Sequence, residues 1–201
     1  MDDAVAFDDA VLGAGLGADA EAALRAAGEQ RSADPPQAMA MLMRAQTLAP
    51  DHPAVLIAFY RHHFYGHRLG PARDMARRAL RVGALALGLP PVWRDVPPRP
   101  LPGAKVDART RFYLFALKGY AYLSLRLDDG VEARDALAQL RRLDPDDCVG
   151  GALLEAVRVR ALIGPLADDD GRHDEAPAAV FGAAAWAQAS GLPAPAVPAR
   201  P

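Results

Sequence analysis

The sequence predicts an all-α protein built from stacked helix pairs, and three observations support this fold class. Two helical apolar stripes each end in a proline, Pro50 or Pro145, and these prolines lie about 95 residues apart. Each proline is followed by an acidic residue, Asp51 or Asp146, and then by a new helical pattern. No stretch alternates as a strand would, and half of the residues are apolar. Helix pairs that repeat in this way usually hold partners.

Composition narrows the classes of protein to which this chain can belong. The 201 residues suit one domain with tails, and the formal charge of −2 gives no general attraction to nucleic acid or membrane. Cys148 is the single cysteine, so an internal disulfide is impossible and a reducing compartment fits. The acidic start differs from a signal peptide, and no apolar run approaches a spanning helix. We therefore expect a cytoplasmic protein that needs no cofactor.

The sequence divides into three regions. Residues 1–18 are acidic and then glycine-rich, which predicts a flexible N-terminus, and residues 19–163 carry the helical patterns. A proline-rich insertion at 89–106 interrupts the helical region, and residues 164–201 form a charged loop with a Pro/Ala-rich tail. The six prolines of the insertion forbid helix and favour polyproline II, and we expect Trp93 and Val96 to attach it to the helical surface.

Local signals place the first four helices. The first helix begins near Asp19. The second follows Asp34, which can act as its N-cap, and a proline occupies the first helical position. The third helix follows Asp51-His52-Pro53, and the fourth follows Gly70-Pro71. The apolar stripe of the second helix recurs at helical spacing. It comprises Ala38, Met41, Leu42, Ala45 and Leu48.

Three more helices are predicted after the insertion. Helix resumes near Asp107, and Asp129 with Glu132 forms a capping box for the next one. Asp144-Pro145 is interpreted as the start of the last helix, which Gly164-Pro165 stops. The total is three pairs and one unpaired helix, which would shield the open end of the stack.

These patterns resemble the tetratricopeptide repeat, in a degenerate, bacterial form. Small and apolar residues that precede the two closing prolines fall on positions typical of that family. They are Ala26, Ala38, Leu42 and Ala45 before Pro50, and Ala121, Ala133 and Leu137 before Pro145. The resemblance implies a tetratricopeptide-like α-solenoid of about three helix pairs plus a C-terminal capping helix. It also implies that the first helix of each pair lines a concave groove.

A second resemblance concerns the C-terminal half of the helical region. Residues 112–130, followed by the run Leu143 to Gly151, are similar to bacterial helical-repeat proteins that are encoded near nitrogen-fixation genes. This resemblance implies an accessory role associated with nitrogen fixation.

The groove that the tetratricopeptide resemblance implies is the predicted binding site. Its register places Lys118 and Tyr122 on the groove, with Phe59 and His62 in the middle unit and Arg126 near the rim. Such a surface suits a peptide with apolar anchors and some acidic character. The function predicted is that of a non-enzymatic adaptor, scaffold or assembly accessory factor whose partner is another protein. The alternative for the aromatic residues is that they form core between helices.

An alternative function is a small metal- or ligand-binding helical protein that uses His63 and His67. Two histidines at i, i+4 can reach one metal ion from one helical face. Phe64 stands where the catalytic zinc motif has glutamate, and no third ligand is evident, so we assign no metal ligand. Catalysis has little support either, since Cys148 lies among acidic residues, which raise the pKa of a thiol.

Two further features remain open from sequence alone. The fourth helix carries Arg73, Arg77, Arg78 and Arg81, with only Asp74 among them, so this basic face is unusually one-signed. It is interpreted either as a solvated helix face or as a contact for an acidic partner or nucleic acid. The stretch 97–102 is interpreted either as a rigid spacer or as a ligand of polyproline-binding domains.

Overall fold

The protein is an assembly of α-helices over the residues that its computed structural model describes, 15–163. In that range seven α-helices follow one another, one short 3₁₀ turn occurs at Trp93–Asp95, and no strand is present. The predicted all-α class is therefore confirmed. The helices are α1 (Ala18–Gln30), α2 (Pro35–Leu48), α3 (Pro53–Tyr65), α4 (Leu69–Ala86), α5 (Ala108–Arg126), α6 (Gly130–Leu143) and α7 (Gly151–Ile163).

Side-chain caps fix several helix starts as the sequence predicts. Asp34 Oδ1 accepts the Gln37 amide at 3.0 Å at the start of α2. Asp129 Oδ1 accepts the Glu132 amide at 3.3 Å at the start of α6. The predicted capping box is only half formed there, because the Glu132 carboxylate receives Arg94 instead of reaching back to the cap. A contact distant in sequence has taken over a side chain that local rules assign to the helix end.

Two apolar clusters make up the described core. The larger one joins α4, α5, α6 and α7 with part of α3, and Tyr113, Leu114 and Leu117 at its centre are fully buried. The smaller one joins α1, α2 and α3 through mostly small side chains. Its buried members are Ala23, Ala27, Leu42, Ala45, Val55 and Phe59.

Successive helices pack on one another along the chain. The pairs α1/α2, α3/α4, α4/α5 and α5/α6 are in extensive contact, and α7 lies on α6 with a smaller contact to α5. Gly83 lets α4 cross α5 closely, since a Cβ there would lie 3.2 Å from Phe112 Cδ1 and 3.3 Å from Tyr113 Cβ. Within the described range, no helix has both the length and the apolar character that membrane crossing requires.

The proline-rich insertion is fastened to the helices. Trp93 and Val96 are both buried, as predicted, and Gln139 Nε2 donates to the Val96 carbonyl at 2.7 Å. The Leu101 amide donates to the Leu143 carbonyl at 2.9 Å. The predicted polyproline II helix is interrupted, because the chain bends and the amide of Arg99 donates back across two residues at 2.8 Å.

The last helix begins later than predicted, at Gly151 and not at Asp144-Pro145. Positive φ angles at Asp147 (53°) and Gly150 (69°) prevent a continuous helix through this stretch. Asp147 Oδ1 then accepts the amides of Gly151 and Ala152, which starts α7. The predictions made for residues 1–14 and for the tail, 164–201, lie outside the described residues.

Candidate partner-binding surface

Helices α3 and α5, which carry the predicted groove residues, meet through long aromatic side chains. Tyr60 of α3 approaches Gly119 of α5 so closely that a Cβ on this glycine would lie 3.3 Å from the tyrosine oxygen. One helical turn further on, the rings of Phe64 and Tyr122 lie 5.9 Å apart. The two helices therefore present their aromatic side chains together.

These side chains form a continuous aromatic band, defined here as Tyr60, Phe64, Tyr65 and Tyr122. Tyr60 and Phe64 are four residues apart on one helical face, and their rings stack at 5.8 Å with an angle of 6°. Phe64 also meets Tyr65 edge-on at 5.7 Å. Each member of the band is partly exposed, so the band offers rigid apolar area at the surface.

Arginine side chains stand at both ends of the aromatic band. The guanidinium of Arg31 lies 4.8 Å from the ring centre of Tyr65, and that of Arg126 lies 5.9 Å from Tyr122. Arg126 also donates to the Tyr122 oxygen at 2.9 Å. Neither arginine is ion-paired with a carboxylate among the described residues. The surface therefore combines aromatic area with positive charge that the described chain leaves unbalanced.

Phe59 and His62, two of the predicted contacts, lie on a different side of α3. Phe59 is 5% exposed and belongs to the smaller core cluster, and His62 is 9% exposed. The structure differs here from the predicted register, since Tyr60 and Phe64 lie beside α5 instead. The role of Phe59 and His62 in binding stays a prediction.

Lys118 is placed near the band but has a partner of its own. Its Nζ donates to the Val149 carbonyl at 2.6 Å and so ties the loop before α7 to α5. Burial lowers the pKa of Lys118, and the nearby Asp147 carboxylate offsets part of this effect. Lys118 is partly exposed, as Tyr122 is, but its ammonium group is held by the loop, so Tyr122 and Arg126 are the predicted contacts that belong to the candidate surface.

His63 and His67 are not arranged as the alternative metal site requires. Helix α3 ends at Tyr65, and His67 lies beyond it with a φ of 56°, so the two imidazoles do not share a helical face. Burial, and then the Arg68 charge, lower the pKa of His63. No group of three or more potential metal ligands occurs within residues 15–163.

The basic face of α4 is not one-signed in three dimensions. Carboxylates from other elements join Asp74, so that most of these arginines are paired. The pairs are Arg73 with Asp129 (3.0 Å), Arg77 with Asp74 (3.0 Å) and Arg78 with Asp51 (3.3 Å). Arg81 makes no hydrogen bond or ion pair to another described residue. The prediction that this face carries charge of one sign was wrong, because sequence alone does not show which turns pack beside a helix.

Cys148 has the chemistry that its sequence neighbours indicate. Burial raises the pKa of its thiol, and the Asp144 carboxylate raises it further. A thiol with a raised pKa is a poor nucleophile at neutral pH.

Sequence reasoning missed Arg31, Tyr60, Phe64 and Tyr65 as members of the candidate surface. A signal was present, since Tyr60 and Phe64 are four residues apart in the densest polar-aromatic stretch of the chain. What the sequence did not show is which side of α3 meets α5.

The chain is similar over part of its length to a curated protein. It is 39% identical, over 115 residues, to an uncharacterized 19.8 kDa protein in the nifW 5′ region of Azotobacter chroococcum mcd 1. The match covers 56% of this chain, and this chain spans 64% of the length of that protein. No family model matches the chain. No solved structure matches it either.

Proposed function

We propose that this protein is a non-enzymatic interaction module, an adaptor, scaffold or assembly accessory factor that binds a segment of a partner protein. The observation that supports the proposal is the continuous aromatic band across α3 and α5 with Arg31 and Arg126 at its ends. Aromatic and arginine side chains are the residue types that most often dominate binding energy at interfaces. The proposed partner segment has apolar anchors and acidic residues, which would face the two guanidinium groups.

The arrangement proposed for the helices is a tetratricopeptide-like solenoid. The contacts within α1/α2, α3/α4 and α5/α6, with α7 on α6, are those that stacked pairs with a capping helix would make. The first helices of the second and third pairs, α3 and α5, would then form one wall of the binding surface.

The proposed setting is an accessory role in nitrogen fixation, in the cytoplasm. Its support is the similarity to a protein named for its place in a nifW 5′ region. That protein is itself uncharacterized, so the proposal concerns the process and names no partner.

Affinity capture followed by titration tests the binding surface. Full-length wild type and a Tyr122→Ala/Arg126→Glu variant are used to capture proteins from the native cell extract. The matched control is Val131→Ala/Arg142→Glu, which makes the same kinds of change at exposed positions of α6. Each captured protein is then purified and titrated against all three forms by calorimetry.

The expected result is that one partner binds wild type and control equally and binds the Tyr122→Ala/Arg126→Glu variant at least about tenfold more weakly. Circular dichroism must show that all three forms are folded. Equal affinity for the three forms would reject the aromatic band as the binding surface. Failure to find any protein that binds purified wild type would reject the adaptor proposal itself.

A further inference from the structure

A cleft of about 520 Å³ opens between α4, the proline-rich insertion and the turn that leads into α6. Pockets that hold small molecules usually have volumes of about 300 to 1,000 Å³. Tyr120 lines this cleft, whereas Tyr122 belongs to the aromatic band. Tyr120 and Tyr122 are two residues apart, which places them about 200° apart around the helix axis. The cleft and the band therefore use different faces of α5.

Positive charge predominates in the lining of the cleft. Four guanidinium groups line it against two carboxylates, those of Asp129 and Glu132, for a formal balance of +2 among the lining residues. Asp74 and Asp51, outside the lining, pair with two of these arginines. Both carboxylates are already engaged: Asp129 by Arg73 at 3.0 Å, and Glu132 by Arg94. The lining arginines are Arg77, Arg78, Arg81 and Arg94.

Arg81 supplies the available cation. It is exposed, and it makes no hydrogen bond or ion pair to any other described residue. Arg77 lies one helical turn before it on the same face. Arg77 is held in place by Asp74 at 3.0 Å and by the Tyr120 hydroxyl at 3.4 Å, so its charge is positioned before any ligand arrives.

The opposite wall of the cleft is equally well fixed. Trp93 is 6% exposed, and the guanidinium of Arg94 lies 4.4 Å from its ring centre. Arg94 is held there by two hydrogen bonds to the Glu132 carboxylate, which also accepts the Tyr120 hydroxyl. Arginines from α4 and from the insertion thus face one cavity from two sides without needing to reorganise.

We propose that this cleft binds a small phosphorylated molecule whose phosphate group is received by Arg81 together with Arg77 and Arg78. Guanidinium groups present paired N–H donors that match the oxygens of a phosphate, and a phosphate ester carries close to two negative charges at neutral pH. This site is separate from the aromatic band and does not depend on the proposed adaptor function.

The charges around the cleft favour a small anion over a nucleic acid. Long polyanions bind along extended basic stripes that contact many phosphates. Here Asp51, Asp74 and Asp129 pair with the arginines along α4 and divide the positive face into short segments. One compact phosphate group matches the surplus charge of the lining better than a strand would.

The test uses pyrophosphate as the probe and the full-length chain with Trp186→Phe, so that Trp93 is the remaining tryptophan. In about 150 mM salt, where long-range attraction is screened, we expect saturable heat on titration and a change in Trp93 fluorescence. Arg81→Gln should weaken binding at least about tenfold, because a charged hydrogen-bond donor is lost. Arg142→Gln, an exposed arginine on α6 outside the cleft, serves as the matched control and should bind as the parent does.

Three results would overturn the proposal. They are the absence of saturable binding up to millimolar pyrophosphate, equal affinity of the Arg81→Gln and parent forms, and binding of a single-stranded DNA of about 20 nucleotides in place of pyrophosphate. Arg81 is exposed, so its replacement should leave the fold intact, and equal thermal melting of the variants checks this.

Discussion

At the scale of single residues, Glu132 joins three elements of the fold. Its carboxylate accepts two hydrogen bonds from Arg94 of the insertion and one from the Tyr120 hydroxyl of α5. Its backbone amide is meanwhile capped by Asp129 at the start of α6. The hydrogen bonds from Arg94 are the main cause that lowers the pKa of Glu132 below its usual value.

Replacing Glu132 by glutamine should therefore destabilise the protein. The variant keeps the size of the side chain but loses the charge that holds Arg94 and Tyr120. We expect a loss of about 1 to 3 kcal/mol in the free energy of unfolding, toward the lower end because Arg94 is partly exposed to solvent. Urea denaturation measures it. Glu29→Gln, at an exposed position of α1, is the control and should change stability by less than about 0.5 kcal/mol.

The pH dependence gives a second check on the same residue. A carboxylate whose pKa is lower in the folded state stabilises the protein above the unfolded pKa, here about 4.5, and this stabilisation is lost as the pH falls through the folded value. Wild type and Glu132→Gln should thus differ most near neutral pH and converge in acid below pH 4.5. A gap that stays constant into acid would contradict the assigned role of the charge.

At the scale of elements, the crossing of α4 and α5 depends on Gly83. A side chain there meets Phe112 and the Cβ of Tyr113, which is fixed to the backbone of α5 and has little room to move. Gly83→Val should lower the free energy of unfolding by about 1 to 3 kcal/mol through overpacking. Gly28→Val is the matched control, since nothing lies within 4 Å of Gly28 in α1. Thermal or urea unfolding measures the stability of both variants, and equal stability would contradict this account.

The start of α7 shows where local sequence signals fail. Asp34-Pro35 does begin a helix, and Asp144-Pro145 looks the same in sequence. Asp144, however, is buried at the end of α6, and its Oδ2 accepts the Val149 amide at 3.0 Å. The Val149 carbonyl in turn accepts Lys118 from α5. These contacts stabilise a loop in place of a helix, and the one with Lys118 links residues far apart in sequence.

The candidate surface could be predicted from sequence on α5 but not on α3. Tyr122 and Arg126 were placed on it from the repeat register, and both are at the surface of α5. On α3 the predicted contacts Phe59 and His62 precede Tyr60 and Phe64 by one and two positions, and each residue turns a helix by about 100°. Both sides of α3 are apolar, one packed against α1 and α2 and the other toward α5, so periodicity does not distinguish them.

At the scale of the whole molecule, the two ends of the described helical array differ in how much they bury. Five of the six buried side chains of α1 and α2 are alanines, and Leu42 is the sixth. The cluster that joins α4 to α7 instead contains tyrosine, phenylalanine, tryptophan and leucine. Because hydrophobic stabilisation grows with the apolar area removed from water, α1 and α2 should form the less stable part.

Amide hydrogen exchange should therefore show that α1 and α2 open before the rest of the array. We expect their most protected amides to exchange at least about tenfold faster than those of α5. Leu42→Ala should accelerate exchange in α1 and α2 and leave α5 unchanged, because the pair opens without unfolding the larger cluster. Equal acceleration in α5 would mean that the array unfolds as one unit and would contradict this prediction. Independent opening would also separate Arg31 from Tyr65, so the proposed binding surface would lose the guanidinium at one end whenever the first pair opens.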